Sequence, residues 1–428
     1  MTPHRKMILG LVAGASAGLL ANRLAHGQPW LAIAIEYVAY PIGQIFLRLL
    51  FMLVVPMLFS ALVVGVGELD VRHLGRIGLK TLAYTIGVSV IAVMIGLVLV
   101  NVIGPGRGLP PEVQALARGG AAPKAAQAPQ DTSPLGLLIA IVPDNPIKAA
   151  ASGDMIGLLF FSLIFGIGLS LTAGAPATRL REAIQGLYDV AMRLIDGVLR
   201  LAPYGVAALL FTMTARLGFD AVRHVGAYVA VVLLGLGLHM FVVYSLSVRL
   251  LGGRSPIAFF RGARVAILTA FSTASSNATL PTALKVAEEE LQIPRHVARF
   301  VLTAGASMNQ NGTALFEGVT VLFLAQIFGV ELDLAAQAGV MVICVLAGIG
   351  TAGVPAGSIP VIAMILKMYG IPPEGLGLIL GVDRFLDMCR TTLNVTGDLA
   401  AAVVVARGEP LNPASTDQVS IEFSPPRD

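Results

Sequence analysis

Residues 381–401 read GVDRFLDMCRTTLNVTGDLAA, an apolar stretch that carries Asp383, Arg384, Asp387, Arg390 and Asp398. A charge at the middle of a bilayer costs roughly 2.5–3.5 kcal/mol on insertion scales, so several in one span demand a purpose. At about 100° per residue, Asp387, Arg390, Thr391, Asn394 and Asp398 fall within an arc of roughly 100° on a helix. Asp383 joins that face, while Leu386, Leu393, Val395 and Val403 leave the other faces apolar. An arginine fork holds a carboxylate through two hydrogen bonds. An aspartate one turn away takes an ammonium, and Asn394 with Asp398 offers hard oxygens to a cation. A stripe of both signs suits a zwitterion with an extra carboxylate, which describes an acidic amino acid. The plainer alternative is a structural seam in which Asp387 and Arg390 pair only with each other.

The surrounding chain is membrane-like. Of 428 residues, 56% are hydrophobic and 13% charged, with a mean hydropathy of +0.82. A soluble domain of this length needs far more charged surface. Apolar runs near 20 residues recur, as spanning helices require, which makes this an all-α polytopic membrane protein. The net charge of +4 does not point to nucleic acid, because the basic residues cluster in short segments between apolar runs, a topology signal. Cys344 and Cys389 are isolated, so neither a disulfide framework nor a transition-metal cluster is indicated. No Walker loop or dinucleotide fingerprint is present, and nothing points to an ATPase or a bound cofactor.

Taken in order, Met7–Leu20 imitates a signal peptide but continues into a further apolar run from Pro29, which favours a retained first helix. A second helix is expected over Ala32–Gly67, a third over Thr81–Ile103, a fourth entered after Pro143, and further spans at Tyr188–Thr214 and Ala227–Leu251. Arg179 and Arg181 read as an inside loop, Gly104–Thr132 as a flexible outer one, and 407–428 as a disordered cytoplasmic tail. The regular pattern then stops. Ser255–Glu290 and Ala335–Tyr369 are apolar stretches interrupted by FSTASSNATLP (271–281) and GIGTAGVPAGSIP (348–360). A matched pair of interrupted hydrophobic segments points to a transporter binding site, and the two read as re-entrant hairpins. Between them Val297–Phe328 is apolar except at 307–313, SMNQNGT, and at Glu317. Gly312, in a broken helix, is expected to free backbone carbonyls for a cation. Glu317, a lone carboxyl in a span, is a candidate proton carrier. The alternative is a buried glutamate hydrogen-bonded to a neighbouring helix.

MLVVPMLF in the second helix, SSNATLP, Asn309–Thr313, TAGVPAGSIP and DRFLDMCRTTLNVTGD occur in this order. In these motifs the chain resembles the dicarboxylate/amino acid:cation symporter family, from Met7 to Ala406. That family includes archaeal aspartate transporters and mammalian excitatory amino acid transporters. The resemblance implies eight transmembrane helices plus two re-entrant hairpins, assembled as a homotrimer in the plasma (inner) membrane with both termini cytoplasmic. It also implies an elevator in which residues 1–254 are mainly scaffold and 255–406 the transport core, helices three and six moving with the core. For the acidic substrate it implies contacts from Arg390, Asp387, Thr391, Asn394, Thr313, Ser275 and Ser276, and from the amides around Gly353 and Val354. One sodium site falls on Gly305, Asn309, Asn394 and Asp398. A second falls on backbone around Ser307 and Gly348–Thr351. Glu317 matches a proton-carrying glutamate.

Departures from the family pattern bear on coupling. Asn311 stands where the family has Asp, Gln310 where it has Met, and Val88 replaces a hydroxyl ligand although Ser89 remains. A third sodium site is therefore expected to be absent, with transport driven by protons or by fewer sodium ions. An arginine that relatives hold at the first hairpin tip or after the Asp387 position is Ala274 or Met388 here, leaving Arg384 as the nearest substitute. Neutral amino acid relatives place Cys at the Arg390 position; here Cys389 is only its neighbour. The leading expectation is a symporter of aspartate or glutamate. A C4-dicarboxylate such as fumarate or succinate is the alternative, against which Asp387 argues. An anion-conducting channel or a receptor on the same fold is the alternative of a different class. No nucleophile–base pair suggests an enzyme.

Overall fold

A computed structural model describes residues 3–25, 28–67, 76–109, 142–152, 155–350 and 358–409, and among them every regular element is helical. Helix α1 (Pro3–Ala25) is followed by α2, which runs from Pro29–Ala34 through a π turn at Ile35–Ala39 into Tyr40–Met52. The single second helix expected from the sequence is instead interrupted at Leu53, after which α3 covers Val54–Gly67. Pro56 explains the interruption, since its ring clashes with the carbonyl four residues back and it has no N–H to donate. Helix α4 (Arg76–Ile103) is followed by α5 (Pro146–Ser152) and α6 (Met155–Leu171). Helix α7 (Ala175–Leu217) has 43 residues and carries Arg179 and Arg181 on its exposed first turns, so these two are helical rather than part of a loop. It bends by 54° between Ile195 and Arg200, just before Pro203, where such a bend belongs. Helix α8 (Phe219–Leu238) continues through π turns to Leu251.

Four described stretches are long and apolar enough to cross a membrane: Pro29–Leu49, Arg76–Ile103, Phe219–Leu251 and Arg295–Phe328. The bent α7 supplies a fifth if its halves form one span. The protein is a multi-pass membrane protein. Arg295–Phe328 stands apart, because 94% of its apolar window is buried against 39% for Arg76–Ile103. Protein rather than lipid surrounds it, which is the condition under which irregular backbone survives at membrane depth.

Both interrupted segments fold back on themselves. Helix α9 (Pro256–Thr273) ends at Ala274, and α10 (Ser276–Lys285) leads into a π turn at Val286–Glu290. Gly262 lies against Glu290 and Leu291, and Arg254 donates to the Leu291 carbonyl, so the two arms are antiparallel. Ala274 makes the reversal in the left-handed region at φ 48°. A Cβ there costs roughly 1–2 kcal/mol. Ala274→Gly is expected to recover about 1 kcal/mol, measured as a higher unfolding midpoint of the purified protein. In the second segment α13 (Leu334–Gly350) and α14 (Ser358–Met368) also double back, with Tyr369 Oη donating to the Ala336 carbonyl at 3.1 Å. Thr351, Gly353 and Val354 at its tip lie outside the described residues.

Helices α11 (Arg295–Met308) and α12 (Asn311–Phe328) are separated at Asn309 and Gln310, whose φ/ψ of −103°/59° and −95°/53° are not helical. The break thus precedes Gly312, which lies inside α12. Helix α15 (Leu376–Val405) closes the interior, packing on α9, α11 and α12, while α4 packs along α12. Helices α1, α2, α3, α6 and α7 pack chiefly among themselves. The expected tail begins ordered: Arg407 donates to the Leu250 and Leu251 carbonyls, and Glu409 pairs with Lys80 at 3.2 Å. Residues 410–428 lie outside the described part.

Candidate substrate and cation site

The polar stripe of α15 is buried as its periodicity predicts. Arg390 is only 1% exposed, and Asp383, Asp387, Thr391, Asn394 and Asp398 are all buried. Arg390 Nη2 donates to Asp387 at 2.8 Å and to Asp383 at 3.1 Å, and Nη1 donates to Ser358 Oγ at 2.8 Å. Its guanidinium carbon lies 3.8 Å from the centroid of the Phe316 ring, a cation–π contact. Arg384 reaches Asp387 at 3.4 Å. Two carboxylates thus balance two guanidinium groups. The expectation that Asp387 and Arg390 could pair only with each other is too narrow, since α14 and Asp383 share the arginine. Arg390 Nε is buried and has no hydrogen-bond partner.

One turn further along, α15 grips the break between α11 and α12. Asn394 Oδ1 accepts from the Gly312 N–H at 2.8 Å, and its Nδ2 donates to Thr313 Oγ1 at 3.2 Å and to Gln310 Oε1. A Cβ on Gly312 would stand 2.9 Å from the Arg390 carbonyl, so glycine is required for close approach of two helices rather than for a break. Asn309 Nδ2 donates to Asp398 Oδ1 at 3.0 Å, while Asn309 Oδ1 is buried without a partner. Gly305 accepts the Asn309 N–H, and a Cβ on it would lie 2.4 Å from Asp398 Oδ1. Gly305, Asn309 and Asp398, which the resemblance assigns to one sodium site, therefore lie in contact. Asn394, expected in the same ligand set, has its oxygen turned to Gly312 instead.

At the third position Asn311 is fully engaged. Ser89 Oγ donates to its Oδ1 at 2.6 Å, and its Nδ2 donates to Tyr244 Oη at 3.0 Å. Val88 is buried beside this arrangement on α4. Glu317 is wholly buried in α12, and both its carboxyl oxygens lack a partner, so the hydrogen-bonded alternative does not hold. Gln310 is buried and donates to the Ala306 carbonyl at 2.8 Å.

At the tip of the first hairpin, Ser275 caps α10 by accepting from the Ala278 N–H at 3.2 Å, and the buried Ser276 hydroxyl has no partner. Gly348 packs against Gln310 and Ala314, whereas Ser307 is half-buried on α11. Sequence reasoning placed Asp383 on the functional face without a role, and missed Ser358, Phe316 and Tyr244. The signal for Asp383 was its seven-residue spacing from Arg390. For the other three no local pattern marks the contact, because the partner lies on another helix.

The family profile of the sodium:dicarboxylate symporter family matches residues 4–408. The chain is similar to the proton/glutamate-aspartate symporter of Escherichia coli (strain K12), 32% identical over 407 residues, with 94% of this chain and 92% of that protein covered. It is 31% identical over 410 residues to the proton/sodium-glutamate symport protein of Geobacillus stearothermophilus, with 94% and 92% covered. It is 32% identical over 418 residues to the C4-dicarboxylate transport protein of Rhodospirillum rubrum, with 95% and 90% covered. With the buried arginine–aspartate stripe, the broken central helix and the two hairpins in place along one continuous match, the chain belongs to the sodium:dicarboxylate symporter family.

Proposed function

We propose that this protein is a secondary-active symporter of acidic amino acids, aspartate or glutamate, driven by protons. The observation that carries the reading is the charge-balanced cluster around Arg390 with its unpartnered Nε donor. The substrate side-chain carboxylate would engage Arg390, its ammonium Asp387, and its head group Thr391, Asn394, Thr313, Ser275, Ser276 and the amides of Gly353 and Val354. Such a substrate brings one net negative charge into a balanced site. Burying it uncompensated is costly, so a cation must enter with it. The charge bookkeeping of the site thus favours symport over a bare permease.

Glu317 is the proposed proton carrier, because a carboxyl with no partner in a wholly buried position is tolerated only in its neutral form. Asn311, hydrogen-bonded on both sides, supports the loss of the third sodium site. Asp398, Asn309 and Gly305 would form a cation-binding corner, with Ser307, Gly348 and Thr351 a second. We assign eight spanning helices with hairpins α9–α10 and α13–α14, a trimer, cytoplasmic termini and elevator motion. The packing of α4 and α8 with α11–α15 supports their travelling with residues 255–406, against a scaffold made from the rest of 1–254.

Labelled aspartate uptake into proteoliposomes tests the reading, comparing an inward proton gradient at zero sodium with an inward sodium gradient. Accumulation under the proton gradient alone is expected; strict sodium dependence would overturn proton coupling. The similarity to a C4-dicarboxylate transport protein favours a second reading, succinate or fumarate, which uptake of these in place of aspartate would establish. Glu317→Gln is expected to abolish the response to the proton gradient while leaving aspartate exchange between the two sides intact. Unchanged proton-driven accumulation by this variant would remove Glu317 from the mechanism.

A further inference from the structure

The break between α11 and α12 leaves two helix ends facing each other inside the protein, one offering bare carbonyls and the other bare N–H groups. Both are met by neutral side-chain amides. Gln310 Nε2 donates to the Ala306 carbonyl at 2.8 Å, the acceptor that the Gln310 backbone N–H would have used had the helix continued. Asn394 Oδ1 takes the Gly312 N–H at the opposite end, and Asn394 Nδ2 donates to Gln310 Oε1, linking the two caps into one bridge. All four amide side chains at this junction, Asn309, Gln310, Asn311 and Asn394, are buried.

The carbonyl end of a helix carries partial negative charge and attracts cations. At the broken helices of transporters, unwound carbonyls and half-helix C-termini coordinate sodium. In this chain an N–H of Gln310 occupies that place. The N–H takes one of the two lone pairs of the Ala306 carbonyl and fills the space an ion on it would need, and Asn394 has its oxygen committed to Gly312. What remains unpaired nearby is Asn309 Oδ1, beside an Asp398 held by a single hydrogen bond from Asn309.

We propose that the Gln310 side chain substitutes for a coupling sodium ion at this break and so sets the ion selectivity of the transporter. The helix ends are held in their binding geometry without a metal ion, which leaves the proton to drive transport. The inference rests on the proton-coupled reading above and names the residue responsible. Without the Gln310 amide, the Ala306 carbonyl and one hydrogen bond of Asn394 are released. These add to the Asn309–Asp398 corner the oxygens it lacks for holding sodium.

The test is aspartate binding to the purified full-length transporter by titration calorimetry, in sodium chloride and in choline chloride of equal ionic strength. Wild-type affinity is expected to agree between the two salts within about twofold, and Gln310→Met to bind about tenfold more tightly in sodium. Gln310→Glu, which keeps the shape but removes the N–H donor, is expected to show an equal or larger sodium effect. It decides the matter if the Met variant fails to fold. Variants that bind aspartate equally in both salts overturn the inference, as does a wild-type protein whose own affinity rises tenfold with sodium. Proton-driven uptake by the wild type is measured alongside. Its absence would refute the functional reading, whereas its presence with sodium-indifferent variants would refute only the role of Gln310.

Discussion

Aspartate uptake by Arg390→Ala is expected to fall to background, at least about a hundredfold below wild type, the largest effect of any single substitution in this site. The buried guanidinium makes three hydrogen bonds, to Asp387, Asp383 and Ser358, and lies over Phe316. Its removal takes away the group that can hold a substrate carboxylate and strands two buried aspartates. Breaking a buried pair by deleting one partner costs about 3–5 kcal/mol. Asp387 keeps Arg384 at 3.4 Å, so the loss falls mainly on Asp383. Two further variants separate stability from function. Adding Asp383→Asn to Arg390→Ala is expected to restore the unfolding midpoint but not uptake. Arg390→Lys keeps the charge without the planar fork, and is expected to fold while binding aspartate about tenfold to a hundredfold more weakly. Wild-type uptake by Arg390→Ala would end the assignment of this residue to the substrate.

Gly305→Ala is the second large effect. Its Cβ would stand 2.4 Å from Asp398 Oδ1 and 2.8 Å from Asp398 Cγ, closer than any real contact, with helix α11 on one side and α15 on the other. Either the carboxylate leaves its place beside Asn309 or the two helices part. Overpacking of this kind costs about 1–3 kcal/mol, and here the displaced group is the proposed cation ligand. Transport is expected to be lost at every sodium and proton gradient while much of the protein remains folded. Gly318→Ala is the comparison, because its Cβ would meet only side-chain ends, Val93 Cγ1 at 3.2 Å and Leu97 Cδ2 at 3.5 Å. That variant is expected to keep most of its transport. Equal activity of the two would show that the Gly305–Asp398 contact does not bear on transport.

The stripe of α15 was legible because helical period alone decides which residues share a face, and a face bearing Asp383, Asp387, Arg390, Asn394 and Asp398 cannot turn toward lipid. The hairpins were legible for a related reason: 271–281 and 348–360 interrupt apolar runs with residues that neither span a bilayer nor suit a surface loop of that length. Local rules misled where they were applied one residue at a time. Gly312 reads as the residue that frees carbonyls in a broken helix, yet the non-helical residues are Asn309 and Gln310, and the glycine serves close packing against Arg390 and Asn394. Arg179 and Arg181 read as a loop, yet α7 runs through them.

Sequence by itself therefore determined the membrane setting, the helical class, the polar face and the broken central helix. These are set by composition and by the period of one chain segment. Only the tertiary structure decided who partners whom. Asn311 takes Ser89 and Tyr244 from α4 and α8, Arg390 takes Ser358 from α14, Gln310 and Asn394 close on each other, and Glu317 is left without a partner. The partners lie on helices that approach only when the chain packs. A buried amide or guanidinium has several equivalent acceptors available in sequence, and the distance and angle fixed by helix packing select among them.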